Sequence, residues 1–489
     1  MSALIQTILV LTLIVFGLHR LFLVMTVWGQ KKTHTGSGSE DLVENRQGQH
    51  GVSVLVQIPI YNEPHVVLRI IQSVTKLEYP KEHLSIQILD DSSDETSAII
   101  DEFMEKQDGS LDIKVIRRTQ RTGFKAGALQ HGLNGSTHEF VAIFDADFTP
   151  PSNFLTNCLP YFEDPKIGMV QARWTYRNRD ASALTRAQAI LLDGHFRIEQ
   201  YARSLRGLWF NFNGTAGIWR RRCIDDSGGW SGQTLTEDLD LSYRAQMKGW
   251  QFSYLDDVQV PSELPDELNA FFTQQFRWAK GSIQVARKLL GSIWASNARR
   301  SHKIEASIHL LANINYPLIA ILTMSVVSSM LLSEVMPAHG AIVSTLFLAA
   351  SACFSTFYIA SQSKNSSLIH TLRTLPIVFA LGIGLCVNNS RACLEALFAH
   401  ESPFIRTPKT GDKYGFSGRQ TTLIGRYKQY PIECTATLFS SIALVNACID
   451  GYWSYCPFLL LLTAGLSAPI WLGRKSKKDK SVADPHSVT

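Results

Sequence analysis

In EFVAIFDADFT, residues 139–149, an apolar run stops at two aspartates one residue apart, Asp145 and Asp147. On an extended backbone alternate side chains share a face, so both carboxylates can converge on one cation. Hard divalent cations, Mg²⁺ or Mn²⁺, take oxygen ligands and bridge protein carboxylates to phosphates. The pair therefore suggests diphosphate binding through a metal held by Asp147 and Asp145. A solvated turn would carry the same two residues, so the pair alone does not decide. Three further stretches add weight. Asp90, Asp91 and Ser92 follow the apolar SIQIL, and Tyr61 and Glu63 close the run IPIYNEP. In RTGFKAGAL, Gly123 and Gly127 permit close backbone approach, and Lys125 near a helix start can meet a phosphate. Together these polar ends outline a crevice for a nucleotide.

Such ends need a scaffold. VSVLVQIPI, SIQILD, DIKVIR and EFVAIFD read as buried strands; HVVLRIIQSV, ETSAIIDEFMEK and GFKAGALQHGL read as helices. This alternation, from residue 52 to about 290, predicts βαβ units with a parallel sheet. Ligands of such sheets bind beyond the carboxyl ends of the strands, where these residues fall.

The chain has 489 residues, enough for two or three domains. Only 18 % are charged, against about 25 % in soluble proteins, and the deficit is concentrated at both ends. That predicts a multi-pass membrane protein with a polar middle. Residues 3–28 form one apolar stretch that can cross a hydrocarbon core of ~30 Å. His19 and Arg20 interrupt it and must snorkel or pair. The stretch lacks the leading basic residue and the small-x-small site of a cleaved signal. Lys31 and Lys32 place its end in the cytoplasm. Further spans are expected near 305–331, 341–361, 434–450 and 454–473. Residues 374–397 are apolar, then amphipathic. Read as re-entrant or interfacial, they leave every basic loop on one side, with five spans and the amino terminus outside.

The expected organisation is a membrane helix at 1–29, a linker at 30–50 and a cytosolic domain at 51–304. A membrane region follows at 305–475, with a loop at 398–432, and a basic tail ends the chain at 476–489. The net charge of +5 is too mild for a nucleic-acid partner. Eight cysteines without a CxxC pair predict neither a zinc site nor a disulfide framework, and a reducing compartment for the polar part.

IPIYNE, LDDSSDET, RTGFKAGAL and FDAD resemble the nucleotide-sugar half of family 2 glycosyltransferases. LTEDLDLSYR, with Thr236, Glu237 and Asp238, is similar to that family's T/E-D motif. QQFRW, with Gln274, Arg277 and Trp278, is similar to Q-x-x-R-W. FIRTPK, Phe404 to Lys409, resembles the cellulose synthase gating loop F-x-V-T-x-K, with Arg406 at the usual valine. The resemblance covers roughly residues 50–475, and its flavour is the mannan and glucomannan branch. It implies an α/β GT-A (Rossmann-like) catalytic domain inserted between transmembrane helices. It also implies an inverting, processive transferase in the cell (inner or plasma) membrane.

The resemblance assigns residues to roles. Asp238 would be the base, although it would equally suit the first turn of a helix. Asp147, with Asp145, would hold Mg²⁺ or Mn²⁺. Tyr61, Glu63, Asp91, Lys125, Asp145 and Arg277 would bind the donor, with Thr407 and Lys409 from the gating-like loop. Asn213 and Gly214 of FNFNGTAG would line the acceptor site, with Glu237, Gln274 and Trp278. Trp278 would equally suit a core. His195 and Glu199, on a predicted helix over 181–205, read as structural. The implied partners are a nucleotide sugar (UDP-glucose or GDP-mannose), a growing glycan or lipid acceptor, membrane lipids and an accessory subunit. Only a short tail follows residue 473, so no cyclic-dinucleotide barrel is expected. Two rivals stand beside this reading. One is a single-transfer glycolipid synthase; the other is a scaffold that catalyses nothing.

Overall fold

The computed structural model describes residues 2–30, 51–332, 337–362, 367–400 and 429–472. Helix α1 (Ser2–Gln30) leads to a sheet built from β1 (Val54–Ile60), β2 (Leu84–Asp90), β3 (Asp112–Arg117) and β4 (Phe140–Ile143). Helices α2 (Val67–Val74), α3 (Thr96–Glu105) and α4 (Phe124–Asn134) join them. These are the seven elements that the sequence predicts. β1 is nearly all buried because both faces are covered, so its sequence is apolar at every position but Gln57 rather than alternating.

The sheet extends further. α5 (Phe154–Cys158) precedes β5 (Ile167–Tyr176), and β6 (Gly217–Arg220), α8 (Arg221–Asp226) and β7 (Gln251–Ser262) follow later; the helices α6, α7 and α9 are described below. The strand order is β3-β2-β1-β4-β6-β5-β7. β1 pairs in parallel with β2 and β4, but β6 runs antiparallel between β4 and β5. The sheet is therefore mixed, not wholly parallel. β6 starts beside the carboxyl end of β4, where Ala216 N donates to Ile143 O (2.8 Å), so it runs back antiparallel to β4.

One core lies on each face. Val56, Ile58, Val67, Ile70 and Phe154 fill the first; Leu129, Val141, Phe212, Trp219 and Leu241 fill the second. Two glutamines cross the second face. Gln57 Nε2 donates to Gln87 Oε1 (3.0 Å) and to Leu129 O (3.2 Å), and Gln87 Nε2 donates to Gly132 O (3.0 Å). A Cβ on Gly132 would stand 2.5 Å from Gln87 Oε1, so only glycine admits this seam between α4 and the sheet.

The predicted helix over 181–205 forms as α6 (Ala183–Asp193), a π-turn (Gly194–Gln200) and α7 (Tyr201–Leu205). Ser182 starts it with a capping box to Thr185. α9 (Glu237–Met247) and the long α10 (Leu268–Ala295) complete the domain.

Behind α10 come α11 (Arg300–Leu310), α12 (Asn315–Leu331), α13 (Pro337–Gln362), α14 (Leu368–Gly384), α15 (Cys386–Leu397), α16 (Pro431–Ile449) and α17 (Cys456–Leu472). Among the described residues, six stretches are long and apolar enough to cross a membrane: 3–29, 312–331, 338–362, 368–397, 431–449 and 453–472. Two differ from expectation. The second begins at 312 rather than 305, because 300–310 is a separate helix that carries buried Glu305. The stretch read as interfacial is helical from Leu368, which lengthens its apolar part. Its first half packs on α6 and α17: Val378 and Leu381 share a cluster with Leu184 and Ile190, and Ile383 shares one with Leu462 and Leu466. Its amphipathic half, α15, lies along α10, where buried Lys280 donates to Glu395 Oε2 (2.9 Å) and to His400 O (2.7 Å).

His19 and Arg20 pair rather than snorkel. His19 Nε2 meets Glu305 (2.8 Å), Arg20 meets Glu199, and Arg203 bridges Glu305 (2.7 Å) and Glu199 (3.3 Å). This buried joint ties α1 to α7, the π-turn and α11.

Candidate active site

A cavity opens beyond the carboxyl ends of β1, β2 and β4. Tyr61, Glu63, Asp91, Lys125, Asp145, Asp147, Asn213, Gly214, Glu237, Asp238, Gln274, Arg277 and Trp278 all line it. Every predicted site residue among the described ones is thus brought to one place. Thr407 and Lys409, with the rest of FIRTPK, lie outside the described residues.

The local structure corrects one detail. β4 stops at Ile143, and Asp145 and Asp147 stand on a turn closed by Phe148 N donating to Asp145 O (3.0 Å), not on an extended strand. The Asp145 amide is fixed by Thr215 Oγ1 (2.8 Å). The carboxylates converge on the cavity through the turn rather than through strand alternation.

At the outer end Arg118 forks onto Asp91 at 2.5 and 3.0 Å. Arg121 lies over the Tyr61 ring, 3.3 Å from its centroid, with Phe124 beside it (5.1 Å). Sequence reading missed both arginines; their place five and two residues before the RTGFKAGAL glycine was the available signal. Planar groups already stack here, which suits a nucleobase.

At the inner end Lys125 Nζ donates to Asp145 Oδ1 (2.6 Å) and Gly214 O (2.9 Å) and lies 4.0 Å from Glu237. Burial opposes the charge on Lys125, yet Asp145 and Glu237 outweigh it and hold its pKa above the ordinary lysine value. Thr236 caps α9 by position, so Glu237 and Asp238 fall in its first turn. Asp238 Oδ1 accepts from Leu239 N (2.8 Å), so the carboxylate is held at the helix start and still faces the cavity. Burial and the neighbouring Glu237 push Asp238 up to about 7, against an ordinary 3.8. Burial raises Glu237 as well. A carboxylate with a pKa near neutrality is suited to take a proton at working pH. Deeper in α9, Asp240 is paired with Arg244 and with Lys288 of α10, both at 2.8 Å, which anchors the two helices.

Gly214 is wedged against this pair. Its φ is +83°, and a Cβ there would stand 3.0 Å from Asp238 Oδ2 and 3.3 Å from Lys125 Nζ.

No group of three or more His, Cys, Asp or Glu is set to hold a metal among the described residues. Mg²⁺ and Mn²⁺ bound with a phosphate ligand need only one or two protein carboxylates. Asp145 and Asp147 are both on the cavity wall, and their carboxylates fit such a donor set.

A second, more apolar cavity begins at the same aspartate. Asn213, Thr236, Asp238 and Trp278 line both, and the second runs on between Tyr316, Phe347, Phe354 and Leu461 of α12, α13 and α17. His195 and Glu199, read from sequence as structural, also line it. His195 Nε2 lies 2.8 Å from Asn213 Oδ1 and Nδ1 lies 3.3 Å from Glu199. Burial holds His195 down at about 4, so its ring is uncharged near neutral pH.

The family described as glycosyltransferase like family 2 matches residues 50–281. These residues belong to that family. The chain is also 43 % identical over 255 residues to a probable glucomannan 4-beta-mannosyltransferase 7 of Oryza sativa subsp. japonica, covering 50 % of this chain and 43 % of that one. A probable glucomannan 4-beta-mannosyltransferase 2 from the same plant is 35 % identical over 377 residues, 74 % of this chain and 62 % of that one. The chain thus spans 43 to 62 % of these relatives' length. The cellulose synthase-like resemblance of the motifs agrees with these relatives. In structure, the mannosyltransferase PcManGT from Pyrobaculum calidifontis in complex with GDP-Man and Mn2+ aligns at a TM-score of 0.53 and 18 % identity, covering 82 % of this chain and all of that one. The shared architecture is the GT-A mixed sheet, here flanked by helices apolar enough to span a membrane.

Proposed function

We propose that this chain is a membrane-embedded inverting glycosyltransferase that extends a β-linked glycan from a nucleotide-diphosphate sugar. The observation that carries the reading is Asp238, which stands where the polar cavity at the strand ends meets the apolar cavity among the membrane helices. The polar cavity takes the donor. Tyr61, Asp91 and Arg121 face the base; Lys125 and Arg277 face the diphosphate. GDP-mannose is the first donor to test and UDP-glucose the second, because the relatives are mannosyltransferases by name.

The acceptor hydroxyl approaches from the second cavity, held by Asn213 and Trp278. Its proton passes to the Asp238 carboxylate as its oxygen bonds to the anomeric carbon. The bond to the diphosphate breaks on the opposite face, so the configuration inverts. Lys125 and Arg277 take up the charge that develops on the leaving diphosphate. Mg²⁺ or Mn²⁺, held by Asp147 with Asp145, would add to that charge stabilisation when bound. The lengthened chain enters the second cavity, which sets translocation through the membrane and a cytoplasmic catalytic domain as parts of the same proposal.

The test uses purified protein in lipid nanodiscs with Mg²⁺ or Mn²⁺, radiolabelled GDP-mannose or UDP-glucose, and an Asp238→Asn control. Polymer from one donor, absent in the control, is the expected result. A single-sugar lipid product would replace polymerisation by glycolipid synthesis. Nucleotide binding without turnover of either donor would favour a scaffold.

A further inference from the structure

Two thiols meet at the end of the helical bundle farthest from the catalytic cavity. The start of α16 and the end of α17 face the catalytic domain: Tyr430 stacks near Phe272 of α10, and Leu472 packs on the cluster of Leu184 and Phe271. Their other ends meet in the turn 450–455. There Tyr455 is buried with Leu9 of α1 and Met330 of α12, and stands against Gly340 at the start of α13. Across this turn Cys448 Sγ lies 3.6 Å from Cys456 Sγ. Cys448 is exposed and Cys456 half-buried. The gap to a covalent S–S bond of about 2.05 Å is within reach of a side-chain rotation.

We propose that Cys448 and Cys456 form a disulfide in the membrane-inserted protein, clipping α16 to α17 on the side opposite the catalytic domain. For its compartment this rests on the reading that the domain faces the cytoplasm. The far side is then the one on which disulfides form and persist. The step balances as a thiol–disulfide exchange. The exposed Cys448 thiolate attacks a disulfide of a dithiol oxidase in that compartment and forms a mixed disulfide. Cys456 then displaces the oxidase sulfur. The two cysteines lose two protons and two electrons, and the oxidase disulfide becomes two thiols. Residues 450–455 join the two helices, so the clip holds this turn and seats Tyr455 against α13.

Differential alkylation of the full chain tests this. Membranes are quenched in acid, dissolved in SDS, treated with a light maleimide, reduced, and treated with a heavy one. The expected result is heavy label on Cys448 and Cys456 and light label on Cys434, which shares their tryptic fragment. Cys448→Ser should move Cys456 wholly to the light label. Light label on both cysteines of the unaltered chain overturns the proposal. The Cys456→Ser chain then says why, since its Cys448 is a free thiol. In sealed vesicles of known sidedness, an impermeant maleimide that reaches Cys448 from the far side shows the disulfide inference itself to be wrong. Labelling from the side of the catalytic domain shows instead that the assumed orientation failed.

Discussion

The cavity at the strand ends and the joint behind the second cavity hold charge in opposite ways. At the strand ends Asp145, Asp147, Glu237 and Asp238 crowd one wall, with Lys125 placed among them. The balance is incomplete, and the raised pKa values of Glu237 and Asp238 are its signature. In the joint, the buried carboxylates share Arg203 and have further partners: Glu305 also takes His19, and Glu199 also takes Arg20 and His195. A region that must bind and turn over charged ligands stays electrostatically open. A region that must fix the domain to α1 is closed on itself.

The comparison breaks most readily at Asp238. Asp238→Asn keeps the shape and removes the proposed base, so turnover should fall by roughly 10²–10⁴. Nucleotide binding, followed by titration, should persist. A loss below tenfold would remove Asp238 from the role of base. The joint is tested next, at Arg203, which is 1 % exposed. Arg203→Met leaves Glu199 and Glu305 buried with fewer partners, and breaking a buried pair costs about 3–5 kcal/mol. The expected readout is a lower melting temperature of the detergent-solubilised chain with nucleotide affinity unchanged. An unaltered melting temperature would show that the joint does not hold the domain to α1.

Gly214→Ala sharpens the contrast inside the open region. The new methyl meets Asp238 Oδ2 and Lys125 Nζ and sits at a φ that L-residues avoid. Activity should fall roughly ten- to a hundredfold, ~1.4–2.7 kcal/mol of barrier, with a smaller change in melting temperature. A fully active Gly214→Ala chain would mean that this contact does not set the position of the base.

The same contrast explains what the sequence makes legible. The open site is readable because its parts are local: a buried strand that stops at Tyr61, Asp91 or Asp145 announces its end through a change from apolar to acidic residues. Lys125 and the Glu237–Asp238 turn follow from short spacings around glycine and threonine. The antiparallel β6 is not readable, since GIWR has the apolar look of any buried strand and pairing direction leaves no mark on it. The joint is hidden for a different reason. His19 pairs with a residue 286 positions away, and nothing near His19 says so. Sequence shows only that two polar residues interrupt an apolar helix and need partners. That His195 and Glu199 line a cavity is hidden for the same cause, as their i, i+4 spacing is that of any helical pair and their cavity is made by remote helices.

The smallest effect expected is a shift in pH profile, and it isolates why Asp238 titrates near 7. Transfer needs the charged carboxylate, so the rate should rise with pH and level off above about 7. Burial sets part of that pKa, and the adjacent Glu237 adds to it. Glu237→Gln removes a neighbouring negative charge, so Asp238 should lose its proton more readily and the acid limb should move to lower pH, by up to about one unit. A shift upward would mean that Glu237 acts chiefly by holding Lys125 in place. The same titration appears in stability with a defined sign. A folded-state pKa raised from 3.8 to about 7 stabilises the fold fully below 3.8, and that contribution is lost as pH rises through about 7. The melting temperature of ligand-free protein should therefore decline across that window, and Asp238→Asn should flatten the decline. Glu237→Gln should end the decline at lower pH, in step with the rate profile, because one ionisation underlies both curves.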